Sequence, residues 1–282
     1  MDSELLSIIS LMDDPDSSVR NAVMERLISR GEKSLDMFER YIETEIPDGL
    51  VAEHKNFIKN VREKVLLSKL NEFLESKDHI LSDGLFLVSK LIDPYADEDK
   101  YHSCITGMAA DIVSEMSDEK TDLENIGIFN YFFFKRIGFL CVDYFIEKAE
   151  GTIVTRVLET KKGNPVSISI IYFLLARAVG MEIHPLCFPG GFVPVFINDK
   201  GAILFYLNIF KGGSIFIEES LVECLKNLGI TYASDDVRIE DDIALVSIYA
   251  ELLSYLYRSD GKGDHSMKIE KVLSLLGDKR FL

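Results

Sequence analysis

Residues 163–196 read GNPVSISIIYFLLARAVGMEIHPLCFPGGFVPVF, and midway the hydrophobic period changes from helical to alternating. Asn164 and Pro165 suit a helix start: the amide side chain can hold an orphan backbone N–H, and proline has none to lose. The segment VSISIIYFLLARAV is apolar nearly all round, which predicts a helix at the centre of a core rather than on its surface. Gly180 closes it. Past that glycine, residues 182–188, 192–198, 202–210 and 214–218 read as short strands, with NDKG at 198–201 as a hairpin turn. Pro194 inside the second strand predicts an edge or a bulge there. The stretch Pro189-Gly190-Gly191-Phe192 has three readings: a tight turn, a phosphate cradle, or a place where a chemically active side chain is missing.

On the N-terminal side the pattern is helical. Leu5, Leu6, Ile9 and Met12 form one stripe; DDPDSS interrupts it, with Ser17 or Ser18 placed to cap the next helix. Val19, Val23, Leu27 and Ile28 repeat at helical spacing up to Gly31, and Leu35, Phe38, Tyr41 and Ile42 follow. A longer helix is predicted over residues 50–74, with His54 on its apolar face as a core histidine. Short helices of this kind fit a HEAT-type repeat or an ordinary helical bundle. Residues 95–117 read as another helix. Thr121 and Glu124 form a capping box, each able to satisfy the other's unpaired N–H. In NIGIFNYFFFKRIGF (125–139) the aromatics are too dense for one face, so burial on several sides is expected. Residues 221–228, 243–257 and 267–276 return to helical spacing. The fold class is therefore α+β, predominantly helical: an N-terminal helical region (1–118), a core of central helix and small antiparallel sheet (119–235), and a C-terminal helical pair (236–282).

The chain has 282 residues and a formal net charge of −16. Nucleic acid and anionic lipid surfaces need clustered Lys and Arg, so neither is an expected partner. Met1-Asp2-Ser3-Glu4 is acidic where a secretory signal is basic, and the apolar run 166–176 is too short to span a bilayer. Cys104, Cys141, Cys187 and Cys224 stand far apart with no CxxC pair, and read as reduced thiols of a cytoplasmic protein. No HxxxH or HExxH spacing points to a metal, and no cofactor is implied. Neither PGGF nor KGGS (211–214) fits a Walker loop or runs from a strand into a helix start, so the phosphate reading fails. Asp235-Asp236 and Asp241-Asp242 are placed to cap helices.

The segments FNYFFFKRIGF, VLETKKGNPVSISIIYFLLARAVGMEIHPLCFPGGFVPVF and LFYLNIFKGGSIFIEES resemble, in order, the SirB-type branch of the transglutaminase-like superfamily. The patterns of that branch run L-N-x-Y-L-F-x-x-L-G-F, V-L-x-x-R-x-G-I-P-I-S-L, P-G-H-F and D-P-F-x-G-G. The helix ALVSIYAELLSYLY and the next resemble the tetratricopeptide-like pair that closes many members. The resemblance implies a papain-like core, with a nucleophile at the start of the central helix and a His and an Asp from the sheet. This chain departs at each position. Ser167 stands at the helix start with no cysteine near it, Gly191 replaces the histidine of P-G-H-F, and Asn208 replaces the aspartate of D-P-F. Loss of the base alone costs a serine hydrolase about 10⁶-fold in kcat, roughly 8 kcal/mol.

The resemblance thus implies a catalytically inactive protein- or peptide-binding module, with Ser167, Gly191 and Asn208 as degenerate site positions. Two other readings stay open: a hydrolase or acyl transferase with a rearranged site around Ser167, and a purely structural helical-repeat adaptor. A base relocated to His184, with Cys187 as nucleophile, is disfavoured because the two alternate to opposite strand faces.

Overall fold

The computed structural model of the chain describes residues 3–46, 48–143, 147–188, 191–227, 229, 238–239 and 241–277. They form two compact units, residues 1–75 and 76–282. The first holds α1 (Ser3–Ser10), α2 (Ser17–Arg30), α3 (Glu32–Glu45) and α4 (Asp48–Glu75). Asp16, rather than either serine, caps α2: its carboxylate accepts from Ser18 N and Ser18 Oγ, both at 2.8 Å. Gly31 at φ +76° turns the chain from α2 into α3, a conformation that favours glycine. Leu27, Leu35, Phe38, Ile42, Ile58 and Val61 are fully buried between these helices. Arg62 is buried as well, which is tolerable because Asp36 (2.9 Å) and Glu39 (2.8 Å) hold its guanidinium.

The second unit runs α5 (Leu81–Ile92), α6 (Glu98–Val113), α7 (Asp122–Tyr131), β1 (Leu140–Cys141), α8 (Val154–Thr160), β2 (Lys162–Gly163), α9 (Pro165–Ala178), β3 (Ile183–Phe188), β4 (Gly191–Ile197), β5 (Ile203–Asn208), β6 (Ser214–Phe216), α10 (Glu218–Asn227), β7 (Arg238–Ile239), α11 (Asp242–Ser259) and α12 (Gly263–Leu276). The α+β, predominantly helical class is what the sequence implies. The two-residue strands β1, β2 and β7 have no clear period in the sequence, whereas α5 carries Leu81, Leu85, Val88 and Ile92 at helical spacing. Helices α5 and α6, which the sequence reading groups with the N-terminal region, belong to the second unit: α5 packs on α8, α11 and α12, and α6 on α9. Among the described residues no helix is long and apolar enough to cross a membrane.

Helix α9 is central, as its all-round apolarity requires: Ser167 through Ala176 are buried without interruption. The five-stranded sheet has the order β6-β5-β4-β3-β7 and its pairs are antiparallel. Its two faces serve different helices. Phe192, opposite Cys187, lies with its ring 5.9 Å from Phe173 of α9. On the other face Leu186, Val193, Val195 and Tyr206 pack under Leu221 and Leu225 of α10.

The expectation for Pro194 needs correction. Strand β4 is interior rather than an edge, and its irregularity falls at Phe196/Ile197. Pro194 is tolerated because it faces Pro185 in a non-hydrogen-bonded pair and lies before the first β4–β5 pair, Val195 with Tyr206, so its missing N–H interrupts neither ladder.

The aromatic run is buried on several sides by a local change of period. A π-turn over Phe132–Arg136, closed by Ile137 N to Phe132 O at 2.8 Å, inserts a residue after α7 and swings the next side chains round the axis. Phe129, Phe132 and Phe133 are buried, whereas Tyr131 is 60% exposed. The capping box forms as expected, with Thr121 N donating to Glu124 Oε2 (2.8 Å) and Glu124 N to Thr121 Oγ1 (3.3 Å).

Candidate functional site

The start of α9 is where the sequence places a nucleophile. Asn164 caps the helix, its Oδ1 accepting from Ser167 N at 2.8 Å, and its Nδ2 donates to Thr152 Oγ1 at 2.6 Å. Its own N–H donates to Gly151 O (3.0 Å), so two bonds fasten the cap to the turn before α8. Ser167 lies inside this cluster with no exposed surface. Its hydroxyl donates to Gly151 O at 2.7 Å, and Asn164 O is 3.0 Å away. Both partners are backbone carbonyls. Among the described residues no histidine, cysteine or carboxylate bonds to that oxygen.

Gly163 explains how the backbone comes so close. A Cβ on it would lie 2.5 Å from Ser167 Oγ, 3.0 Å from Val157 Cγ1 and 3.1 Å from Gly151 O. Only glycine leaves room for the serine hydroxyl to reach the Gly151 carbonyl.

The other two positions do not face Ser167. Gly191 opens β4 opposite Phe188 and shares its face with Val193 and Val195, the face covered by α10. A Cβ there would meet the Phe188 ring at 3.2 Å. Asn208 shares its face with Tyr206 and caps a 3₁₀ turn, its Oδ1 accepting from Lys211 N at 3.1 Å. By alternation, side chains at 191 and 208 therefore point away from α9. Pro189 and Gly190 lie outside the described residues, as do Asp235 and Asp236. Since Phe188 and Gly191 are cross-strand partners, the strands on either side form an antiparallel pair, as the turn reading of PGGF requires.

His184 is no substitute base. Its Nδ1 accepts from Arg177 Nη2 (3.2 Å), which places the ring proton on Nε2, and that nitrogen donates to Glu182 Oε2 (2.9 Å). Arg177 also binds Asp242 Oδ1 (3.1 Å) and Ile183 O (2.6 Å). This ion-pair chain joins the far end of α9 to the start of α11, some ten residues or about 15 Å along the helix from Ser167. Cys187 is buried on the opposite strand face from His184, as alternation requires. Asp241 caps α11 through Ala244 N at 3.0 Å, the role its position implies. Among the described residues no group of three or more His, Cys, Asp and Glu is arranged to hold a metal ion.

Two positioning networks escape sequence reasoning. Tyr172 of α9 donates to Asn130 Oδ1 (2.6 Å), and Asn130 Nδ2 donates to Gly213 O (2.9 Å), tying α7 and α9 to the turn before β6. Tyr249 of α11 bonds Ser89 Oγ (2.7 Å) and accepts from Val154 N (3.1 Å), joining α5, α8 and α11. Burial pushes the Tyr249 hydroxyl up to about 12, and raises Tyr172 as well. The available signal was polarity in the wrong place: one asparagine amid FNYFFF, and one serine and one tyrosine on otherwise apolar helix faces.

Residues 99–245 match the profile of the transglutaminase-like superfamily, just over half of the chain. Two curated UPF0162 proteins of Xylella fastidiosa are similar to it. That of strain 9a5c is 23% identical over 66% of this chain and 64% of its own length. That of strain Temecula1 is 23% identical over 57% of each. The chain thus spans less than two thirds of the length of the curated relatives it matches. No solved structure gives a significant match.

Proposed function

Because the chain belongs to the transglutaminase-like superfamily and its helix-start hydroxyl has no base, we infer that it is a catalytically inactive member serving as a protein- or peptide-binding module. The observation that carries this reading is Ser167: fully buried, its one proton committed to backbone carbonyls. A hydroxyl becomes a nucleophile only when a neighbouring base removes its proton and substrate can reach it. Gly191 and Asn208 supply neither a base nor a charged orienting group. The finer assignment to the SirB-type branch rests on the motif order, and the packed pair α11 and α12 is read as its tetratricopeptide-like close. None of the four cysteines is in a disulfide, which suits the reducing cytoplasm assigned to this module.

The test uses purified protein with acyl-transfer and peptide substrates and with serine- and cysteine-reactive probes. No turnover is expected, and no labelling of residue 167. Turnover that disappears in Ser167→Ala overturns the inactive reading in favour of a rearranged hydrolase or acyl transferase.

A further inference from the structure

Helix α7 buries Ile126 and Phe129 in the second unit and leaves its opposite face open. Glu124, Gly127, Ile128 and Tyr131 recur at i, i+3, i+4 and i+7, so they share one stripe. With Phe132 and Arg136 they line an open groove of about 570 Å³. Leu123, one turn before Gly127, is 57% exposed, and Tyr131, one turn after it, is exposed as well. Between them stands the poorest helix former after proline, in the middle of a helix. A Cβ at Gly127 would meet no atom of the described chain within 4 Å, and its φ is not positive. Neither the packing nor the backbone of this chain therefore requires glycine there. What glycine supplies at that point is a backbone that another helix can approach closely.

The two ends of this stripe carry opposite charges. Asp118, Glu119 and Asp122 crowd the start of α7, and Lys135 and Arg136 follow its end in the π-turn. All five are exposed, and among the described residues none has an ion-pair partner. Lys120 lies at the acidic end too, where its Nζ donates to Glu115 O (2.8 Å), but acids outnumber it three to one over residues 118–122. Arg136 is steadied by the Phe132 ring, whose centroid is 4.7 Å from its guanidinium carbon. A stripe acidic at one end, basic at the other and smallest in the middle is complementary to itself when reversed. We propose that this face of α7 docks on α7 of a second copy of the chain, the two helices antiparallel and crossing at Gly127. The Lys135–Arg136 end of each copy then lies against the Asp118–Asp122 end of the other, and Leu123 of each meets Tyr131 of the other. The contact is isologous, so it closes at two copies. A helix of 10 residues is about 15 Å long, which keeps the interface below the roughly 1,200 Å² of stable complexes. Two bodies of net charge −16 also repel, so the dimer is weak. The inference does not rest on the inactive reading of α9, and either can fail alone.

The experiment is sedimentation velocity on the full chain, in a concentration series reaching about 500 µM so that a weak dimer is populated. The parent is expected to pass from one copy to two. Lys135→Glu/Arg136→Glu and Asp118→Lys/Glu119→Lys each set like charges together at both ends of the contact, and each is expected to weaken self-association at least about tenfold. Mixed in equal amounts, the two variants place opposite charges together at both ends again, and the mixture is expected to associate about as well as the parent. Gly127→Leu, a better helix former at an open position, is expected to leave the melting temperature unchanged or higher while weakening the dimer at least about tenfold. A parent that stays monomeric throughout refutes the proposal. So does a mixture that associates no better than either variant alone, or a charge-reversed or Gly127→Leu variant that dimerises as the parent does.

Discussion

The reading of Ser167 as a structural hydroxyl has a consequence for its neighbour. Gly163→Ala places a methyl 2.5 Å from Ser167 Oγ, with Val157 Cγ1 at 3.0 Å and Gly151 O at 3.1 Å. Gly163 does not have positive φ, so the backbone accepts alanine and the cost is steric. Overpacking of this kind costs about 1–3 kcal/mol. Ser167→Ala alone removes one buried hydrogen bond, about 1 kcal/mol. Its cost stays near that value because both carbonyls keep an N–H donor: Asn164 N for Gly151 O and Ile168 N for Asn164 O, each at 3.0 Å.

The double variant distinguishes the structural role from a catalytic one. With the hydroxyl gone, the worst contact of the new methyl disappears and the remaining two relax by tenths of an ångström. Gly163→Ala/Ser167→Ala should therefore be more stable than the sum of the single costs by a coupling of about 0.5–3 kcal/mol. Urea unfolding of the parent, the two single variants and the double variant, followed by circular dichroism, measures it. Additive costs refute the contact geometry. A gain in stability from Ser167→Ala alone refutes the structural role, since relief of strain is what removing a catalytic group produces.

Tyr249→Phe leaves the buried Val154 N–H without its acceptor and should cost about 1–3 kcal/mol in thermal or urea unfolding. Burial raises Tyr249 to about 12 and also raises Tyr101, Tyr172 and Tyr257, against about 10 in the unfolded chain, so stability present below pH 10 should be lost as pH rises through and beyond that range; a urea midpoint unchanged between pH 9 and 11.5 contradicts this. Gly213→Ala, at φ +76° with its new methyl 2.2–2.6 Å from the Asn130 amide, should break the Asn130–Gly213 bond and lower the melting temperature, whereas Gly212→Ala meets no atom within 4 Å and should cost less. Cys141, its thiol pushed up to about 11 by burial and then by Asp143, is only about one-thousandth thiolate at pH 8, so iodoacetamide should label exposed Cys224 well ahead of it by mass spectrometry.

What was legible in the sequence followed the range of the forces involved. The Asn164 cap, the Thr121–Glu124 box and the end of α2 at Gly31 are settled within four residues, and all three form as read. The all-round apolarity of α9 needs one partner on every side whatever its identity, so its central place was readable too. Strand β7 has no pattern of its own; it exists because β3 offers an edge, and that edge is set by tertiary packing. Helix α5 does not share that limit: Leu81, Leu85, Val88 and Ile92 recur at helical spacing, so its stripe was readable. For the candidate site, the residue types at 167, 191 and 208 were visible, but which way each side chain points was not. That depends on strand register, and a one-residue change in register reverses every face.

Register also changes what the three departures mean together. If positions 191 and 208 faced α9, the chain would be an enzyme lacking two groups, and restoring an imidazole at 191 would begin to repair it. In this fold a side chain at 191 projects toward Phe188 and the α10 face, so a histidine there would meet apolar packing rather than Ser167. The helix start is closed from its own side as well. Side chains in the first turn of a helix lie over the segment leading into it; here that segment carries Gly163, and the turn before α8 brings Gly151 O, up against the hydroxyl. A nucleophile needs that space open for substrate; a cross-link between the turn before α8 and the cap of α9 needs it filled. The two uses exclude one another, and Ser167 has no exposed surface.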